Sequence, residues 1–490
     1  MRHTYLSGHS GQATVPQRRI VTARHGTATF VSKFQTMATA NHSTVRHSPS
    51  RPASGSRQAR LVQPATANEL VRVLETGTHY PSPLRALGSA SSCTRCTEAA
   101  GGTLVDMGEM NRVLRIDRDS VTVQPGITIA ELADVLDSEG LETIGGFDYA
   151  NRTVGGAISA AGLEAMSAGE VGSFSSSVRQ IKFVTASGQR GCVNSDTATL
   201  LRLFRMSYGL LGIVYEVTLR VRPTQSFEVQ AMKIDVADIH NLLARLTQSR
   251  SSARLKLFPF RGTVHCELRD SIAGADKGGR LAWRLKSWTV NSAMPAAAFA
   301  LAKMMPVGKL RYPIVDSLSE TTLNLSSLGP LKSGSAAIAQ MTQTNVFGAG
   351  PCARTSWAFP QTSFASTVTA YFDFCRRHYA RTGFRCDQPA VAFPTPKDPG
   401  ALLSPAFEQS VVTLTAMSNR AEGWDDFAFE YAEFAENHGA IPLFGQSQHM
   451  SARAVKLSYG KRWDAFRRTR EHFDPERRLV NQFFENFLAI

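Results

Sequence analysis

The chain has 490 residues, of which 43% are hydrophobic, so it can form two or three domains with a sizeable core. Its formal net charge of +14 is concentrated at one end, because residues 1–60 contain nine Lys or Arg and neither Asp nor Glu. Subtracting those nine leaves 45 basic against 40 acidic side chains, a balance that argues against a nucleic-acid-binding protein. No apolar run reaches the ~18–20 residues that a membrane-spanning helix needs.

The basic tail, residues 1–56, is rich in Ser, Thr, His and Arg, so it is predicted to be disordered. Two interpretations stay open. An acid-poor, Arg- and Ser-rich beginning is typical of an organelle transit peptide. The alternative is a non-native beginning, with Met37 as the true start. There is no secretory apolar segment, and the predicted location is cytoplasmic.

The seven cysteines are odd in number and scattered, which indicates a reducing compartment. Cys93 and Cys96 form a CxxC, but no second pair or histidine cluster completes a zinc site, so no metal is predicted. A segment near 277–305 interleaves basic residues with Trp283 and Trp288. That pattern suits a helix lying on a membrane surface, and an ordinary exposed helix is the alternative.

Helices and short strands alternate irregularly in residues 57–225, which predicts an α+β domain rather than a doubly wound sheet. Helices are predicted to begin at Thr66 and Thr128, because each is followed three residues later by a glutamate, the pattern of a capping box. Strands are predicted at residues 103–105, 121–123 and 181–185, and Gly140 is expected to end the second helix.

A second α+β domain is predicted for residues 226–442. Residues 364–379 and 424–438 have helical patterns, and residues 411–415 form a clear β run. Phe427, Tyr431 and Phe434 recur at helical spacing, which indicates core packing. Residues 443–490 are expected to return and pack on the first domain.

Two glycine-rich loops stand about sixty residues apart, at 87–92 and 153–159, each after an apolar, strand-like stretch. Both consist of small residues, so a ligand could approach their backbone N–H groups closely. Two such loops could bind a pyrophosphate from two sides. This arrangement differs from the single GxGxxG turn of a classical dinucleotide-binding fold.

The loops, the segments 102–107, 110–114 and 121–126, and the strand 209–221 closely resemble the FAD-binding domain of the vanillyl-alcohol oxidase / p-cresol methylhydroxylase (PCMH-type) flavoproteins. This resemblance covers about residues 59–223. The ending, 459–488, is similar to the sugar-lactone and alditol oxidase branch and to the decaprenylphosphoryl-ribose oxidases. The resemblance implies an FAD-binding domain, a substrate-side cap domain and a C-terminal segment that returns to the active site.

The resemblance also implies which residues hold FAD. The two loops would bind the pyrophosphate through backbone N–H groups and small hydroxyls, and the backbone around Ile213 would hold the adenine end. The implied cofactor-binding residues are Gly88, Ser89, Ala90, Ser91, Ser92, Asp148, Thr153, Val154, Gly155, Gly156, Ala157, Ser159 and Ile213.

The chain departs from its relatives at several site positions. Ser91 and Asn151 stand where covalent members have the histidine and cysteine that bond to the flavin, so non-covalent FAD is predicted. Leu163-Glu164 replaces a His-Gly. Residues 443–446, Leu-Phe-Gly-Gln, replace a His-Trp-Gly-Lys, and Val391-Ala-Phe393 replaces a Glu-x-Arg. The apolar replacements Leu163, Leu443, Phe444 and Phe393 suggest a less polar substrate than a free alditol or lactone.

These replacements leave Gln446 and His449 as the catalytic candidates, since hydride removal from a CH–OH group needs a positioned base and stabilisation of negative charge. Gln446 offers only a neutral amide, whereas His449 could act as a base. Arg453 or Lys456 could supply positive charge. The prediction is an FAD-dependent oxidoreductase of a small CH–OH substrate, with oxygen or another electron acceptor. The alternative is a catalytically lapsed FAD-binding interaction module.

Overall fold

A computed structural model describes residues 58–146, 151–162, 172–248, 251–272, 312–314, 316–317, 320–321, 331–334, 353–419 and 421–488. The predicted basic tail (1–56), the candidate membrane-surface segment (277–305), Asp148 and Leu163-Glu164 lie outside these residues. The described part combines helices with three β-sheets, which confirms the α+β prediction.

The first sheet has three parallel strands in the order β1-β3-β2. They are β1 (Arg60–Val62), β2 (Leu84–Leu87) and β3 (Thr103–Asp106). Helix α1 (Ala67–Glu75) begins where Thr66 accepts a hydrogen bond from the N–H of Glu69. The Glu69 carboxylate accepts from the N–H of Ala65 at 2.8 Å. This helix packs Leu70 and Leu74 against the sheet.

The second sheet is antiparallel, in the order β4-β5-β9-β7-β8, with β6 paired to β9. Its strands are β4 (Val113–Ile116), β5 (Ser120–Val123), β6 (Leu141–Thr143), β7 (Val178–Val184), β8 (Arg190–Asn194) and β9 (Ile213–Pro223). The accompanying helices are α2 (Ile129–Ser138), α3 (Val154–Ser159) and α4 (Ala198–Phe204). The predicted capping box of Thr128 and Glu131 is present on α2, and Gly140 follows that helix at φ 71°.

The third sheet has eight strands, in the order β13-β10-β12-β11-β15-β16-β14-β17. They are β10 (Ser226–Asp235), β11 (Ser252–Phe258), β12 (Thr263–Ile272), β13 (Leu331–Gly334), β14 (Ala353–Pro360), β15 (Ala390–Thr395), β16 (Val411–Ser418) and β17 (Ile441–Pro442). Helices α5 (Ile239–Gln248), α6 (Phe364–Thr382) and α7 (Trp424–Asn437) cover one face.

Side-chain alternation divides this eight-stranded sheet into two faces. Leu255 and Trp357 belong to the core shared with helices α5, α6 and α7. Ala358 and Val411 belong instead to the core that contains the second sheet. We call the side away from the three helices the inner face; on this side of β14, Arg354 donates to the carbonyl of Ser91 in the first glycine loop.

The C-terminal segment continues as α8 (Ala452–Phe473) and α9 (Gln482–Leu488). Its aromatic side chains are buried in the same core as the second sheet. Tyr459 donates to the carbonyl of Pro442 at 2.7 Å, and the indole N–H of Trp463 donates to the carbonyl of Phe487 at 3.0 Å. The hydroxyl of Tyr459 and the indole N–H of Trp463 therefore keep hydrogen-bond partners inside this core.

Asp474 organises the turn between α8 and α9. Its carboxylate accepts from the backbone N–H groups of Arg478 and Leu479, both at 2.8 Å. Burial raises the pKa of this carboxyl, while these two hydrogen bonds and two nearby arginines act in the opposite direction. The turn positions the buried guanidinium of Arg478, which donates to the carbonyls of Leu74 and Ala186 and so joins α1 to the end of β7.

We expect Asp474→Ala to lower the free energy of unfolding by about 2–4 kcal/mol, because two buried N–H groups lose their acceptor. Thermal and urea unfolding of the purified protein measure this. Asp464→Ala, at an exposed position of α8, is the matched control and should unfold as the parent does. Equal stability of the two variants would show that the turn forms without the carboxylate.

Candidate functional site

The first glycine loop follows β2 and presents its backbone outward. Ala90 adopts φ 51°, a left-handed conformation that non-glycine residues seldom take. The four successive N–H groups of residues 89–92 have no acceptor within the described residues, and all four residues are partly exposed. Successive N–H groups around a left-handed residue form a concave site for an anion. This loop therefore has the geometry of a phosphate-binding nest.

The second glycine loop is the N-terminus of α3, and its amides are used differently. The N–H groups of Val154 and Gly155 donate to the carbonyls of Ile127 and Pro125, both at 2.8 Å. Gly156 donates to the hydroxyl of Thr153 at 3.2 Å, and Ala157 donates to the carbonyl of Thr153. The sequence led us to expect free N–H donors in this loop. These four amides already have acceptors within the protein, so they are not free. The loop instead supplies a wall with few side chains.

The two glycine loops lie against each other. A Cβ atom added to Gly88 would come within 2.2 Å of the Thr153 hydroxyl oxygen, and one added to Gly155 would lie 2.7 Å from the Pro125 ring. Only glycine fits at either position without displacing a neighbour. The nest and the wall thus form one cradle, and its bare backbone suits the pyrophosphate of a dinucleotide.

The predicted adenine-side residues lie at the start of β9. Ile213 is buried in the core of the first sheet, so only its backbone could touch a ligand. Gly212 has φ 153°, and a Cβ there would lie 2.8 Å from the carbonyl of Val184. Ser159 accepts at its carbonyl from the N–H of Tyr208 at 2.7 Å, which connects α3 to the segment before β9.

The C-terminal stretch 443–448 joins the first loop to the inner face. The carbonyl of Gly445 accepts from the N–H of Cys93 at 2.8 Å, and that of Phe444 accepts from the Thr94 hydroxyl at 2.6 Å. On its other side, the carbonyl of Gln446 accepts from the N–H of Ser356 on β14 at 3.1 Å. We call this meeting of residues 91–94, 443–448 and 354–356 the three-way junction.

Gln446 and Arg354 converge on the first loop within this junction. The Gln446 side chain is buried, and its Oε1 accepts from the Cys93 thiol at 3.1 Å. Arg354 donates through Nε to the Cys93 sulfur at 3.0 Å and through a terminal nitrogen to the carbonyl of Ser91 at 2.5 Å. A guanidinium therefore stands beside the nest, close to the buried amide of Gln446.

The sequence interpretation did not identify Arg354 as a site residue. The only available signal was the alternation of Arg, Ser and Ala with Thr, Trp and Phe in residues 354–359, which is typical of a strand with two different faces. Sequence alone could not show which face meets the loop, because that depends on how β14 pairs with β16 and β17.

His449 lies away from this junction, which argues against the catalytic role expected from the sequence. Its Nε2 is 2.9 Å from the carboxylate of Asp425 on α7, and its ring contacts the exposed Phe429. Arg453 and Lys456, the other candidate cations, are exposed on α8. The backbone turns at His449 with φ 53°, and this turn directs the side chain toward α7.

Two of the apolar replacements are core residues rather than substrate-site residues. Leu443 and Phe444 are buried in the core of the second sheet, where Phe444 stacks on Tyr459 and Trp463. Phe393 is on the inner face by its pairing with Thr413. Leu443 and Phe444 therefore do not support the expectation of a less polar substrate.

The described residues contain neither a metal-binding cluster nor a membrane-spanning helix. In that part of the chain, no cluster of three or more His, Cys, Asp or Glu could hold a metal ion. Nor is any helix there both long and apolar enough to cross a membrane.

Comparison with known proteins agrees with this geometry. Residues 58–190 match the family model described as FAD binding domain. The L-gulono-1,4-lactone dehydrogenase of Mycobacterium tuberculosis is 21% identical over 436 residues, covering 88% of this chain and 96% of that protein. The L-gulonolactone oxidase of Bos taurus is 30% identical over 167 residues, or 33% and 37% of the two chains. Cholesterol oxidase from B. sterolicum shares the fold, with a TM-score of 0.64, 13% identity and coverage of 87% and 94%.

The cradle and these matches define an FAD-dependent oxidoreductase with a PCMH-type FAD-binding fold. Such an enzyme takes a small-molecule substrate and an electron acceptor. Residues 217–487 match the model of the D-arabinono-1,4-lactone oxidase family, and the chain belongs to that family.

We expect Gly88→Ala to abolish FAD retention, because the new methyl group would push the Thr153 side chain away and separate the two loops. The measurement is the ratio of released FAD to protein after purification and reconstitution. Gly77→Ala is the matched control, since its Cβ would be 3.5 Å from the nearest atom, an ordinary contact. A Gly88→Ala protein with stoichiometric FAD would show that the cradle lies elsewhere.

Proposed function

We propose that the protein oxidises a CH–OH group of a small polyol-like substrate, through non-covalent FAD and an altered active site. Residues 57–225 would bind FAD, residues 226–442 would form the cap, and residues 443–490 would complete the site from the C-terminal side. The three-way junction carries the proposal, because it sets a guanidinium and a buried amide against the loop that has the free N–H groups.

FAD, when bound, supplies the hydride acceptor. The Arg354 guanidinium would offset the negative charge that develops on that acceptor, a preorganised stabilisation that does not depend on the missing lysine. Gln446 would orient a polar group through its amide, since a neutral amide does not take up a proton at ordinary pH. Ser356 and Thr415, whose hydroxyls are 2.8 Å apart on the inner face, would add hydrogen bonds to the substrate.

Sugar lactones and alditols are the first substrates to test. The names of the relatives, L-gulono-1,4-lactone dehydrogenase and L-gulonolactone oxidase, support the lactones as candidates. The polar lining of the junction also favours a hydroxylated substrate.

A catalytically lapsed FAD-binding module is the second candidate function. Gln446 favours it, because no described side chain at the junction is an obvious proton acceptor for a substrate hydroxyl.

An anaerobic reduction screen separates the two functions. FAD-loaded protein is mixed with L-gulono-1,4-lactone, D-arabinono-1,4-lactone and a series of alditols, and the visible absorption of the flavin is followed. We expect at least one substrate to bleach the flavin, and Arg354→Met to slow that reduction by about 10- to 100-fold. Arg453→Met, at an exposed site on α8, is the matched control. Bleaching by dithionite but by no substrate would favour the lapsed module.

We expect acid precipitation to release all of the flavin into the supernatant. Ser91 is a weak nucleophile, and the Cys93 thiol donates its hydrogen to the Oε1 of the buried Gln446. Absorbance of the pellet and supernatant measures the partition, with Cys93→Ser as a control. Flavin in the parent pellet that is lost in Cys93→Ser would establish a covalent bond to Cys93 instead.

Three parts of the proposal come from the sequence alone: a cytoplasmic location, the organelle-targeting alternative for the tail, and peripheral membrane contact through residues 277–305. Fractionation of cells that express the full chain tests the location. Sedimentation of the purified protein with anionic vesicles, compared with a variant in which Trp283 and Trp288 are serine, tests the contact.

A further inference from the structure

The inner face carries an unbroken row of side chains from the three-way junction to the far side of the sheet. The strand registers place six residues opposite one another in successive strands: Ser356, Thr415, Val391, Lys256, His265 and Lys233. Three strand spacings, roughly 14 Å, separate Ser356 on β14 from Lys256 on β11. A substrate held at the junction could therefore extend along this row to the lysine.

Charged side chains cluster around the lysine end of the row. Arg254 on β11 donates to the Glu267 carboxylate at 2.6 Å, and Arg269 donates to the other oxygen of the same carboxylate at 3.0 Å. Both arginines are almost fully buried. Burial alone would raise the pKa of Glu267, but Arg254, Arg269 and Lys256 outweigh it and hold that pKa well below its usual range. The carboxylate is therefore ionised and shared between two guanidiniums.

Lys256 lies next to this cluster without a hydrogen bond of its own. Its ammonium group has no acceptor within the described residues, although its side chain is largely enclosed. Burial lowers the pKa of Lys256 to about 8, and Arg254 and Arg269 act in the same direction while Glu267 opposes them. An enclosed ammonium beside two guanidiniums is costly unless an anion accompanies it.

We propose that Lys256, supported by Arg254 and Arg269, forms a subsite for an anionic oxygen group of the substrate, either a carboxylate or a phosphate. This inference rests on the proposed function, because it names the class of substrate that the inner face accepts: a polyol that carries an acidic group away from the oxidised carbon. Glu267 holds the two guanidiniums in position, and the lysine supplies the donors that the anion needs.

Two neighbours of Lys256, His265 and Glu320, each keep one charge between pH 6.5 and 9.5. Burial, chiefly, lowers the pKa of His265 to about 4, so its ring stays neutral. Glu320 lies beyond it and is ionised, because Lys233 and Thr263 lower its pKa against the effect of burial. His265 and Glu320 therefore keep their charge in this range, whereas Lys256 changes its own. Anion binding should therefore weaken above about pH 8, as the lysine loses its proton.

A matched set of six-carbon ligands tests the subsite without turnover. Isothermal titration calorimetry on FAD-loaded protein compares sorbitol, gluconate and sorbitol 6-phosphate. We expect at least one acid to bind about tenfold or more tightly than sorbitol, and whichever is tighter identifies the anion as carboxylate or phosphate. Lys256→Gln should remove this preference, whereas Lys256→Arg should retain it. Lys461→Gln, which removes an exposed lysine on α8, should leave the preference unchanged.

Two results would overturn the subsite: no preference for either acid in the parent protein, or the same preference in Lys256→Gln. If Lys256→Gln does not retain FAD, the pH series on the parent protein decides, and an affinity for the acids that stays constant up to pH 9.5 contradicts the role of the lysine. A failure of the proposed function is distinguishable, since it appears as absent flavin reduction while the calorimetric preference persists.

Discussion

The candidate active site depends on hydrogen bonds to backbone carbonyls that hold three distant segments together. Carbonyls of the C-terminal stretch accept from Cys93 and Thr94 on one side and from Ser356 on the other. These bonds fix the distance between the phosphate-binding nest and the inner face of the eight-stranded sheet. The separation between the nest and this face is therefore set by residues 443–448.

Buried arginines connect the sheets and the C-terminal turn on which the three-way junction is built. Arg478 donates to carbonyls of α1 and of the segment after β7, and Arg85 donates to the carbonyls of Leu479 and Tyr208. Each guanidinium has several donors in a fixed plane, so one side chain can join strands and helices from separate sheets. The two sheets of the FAD-binding half and the C-terminal turn consequently form one framework beneath the glycine loops.

Alternation along the eight strands places the residues that pack against the helices on one face, and polar and charged side chains together with core residues such as Ala358 on the other. Leu255 and Leu257 complete the core beneath the helices, so the residues between and before them, Lys256 and Arg254, must face inward. The inner face consequently changes along its width, from the hydroxyls and guanidinium near the junction to the buried charges around Glu267. This change in polarity along the inner face affects which substrates the enzyme accepts, because a buried polar group is stabilised only where it finds a hydrogen-bond partner.

The sequence by itself determined the fold class and many elements, because capping residues, glycine loops and hydrophobic spacing are local signals. It determined the cofactor through its resemblance to the PCMH-type flavoproteins. Thr128 with Glu131 and the residues 411–415 are examples that the structure confirms. The candidate site residues were brought together only by tertiary structure, since Arg354, Lys256 and Gln446 come from separate strands and a loop. Strand register decides which of two faces each side chain joins, and no local pattern shows which face meets the cradle. His449, three residues from Gln446, is directed to α7 by one backbone turn.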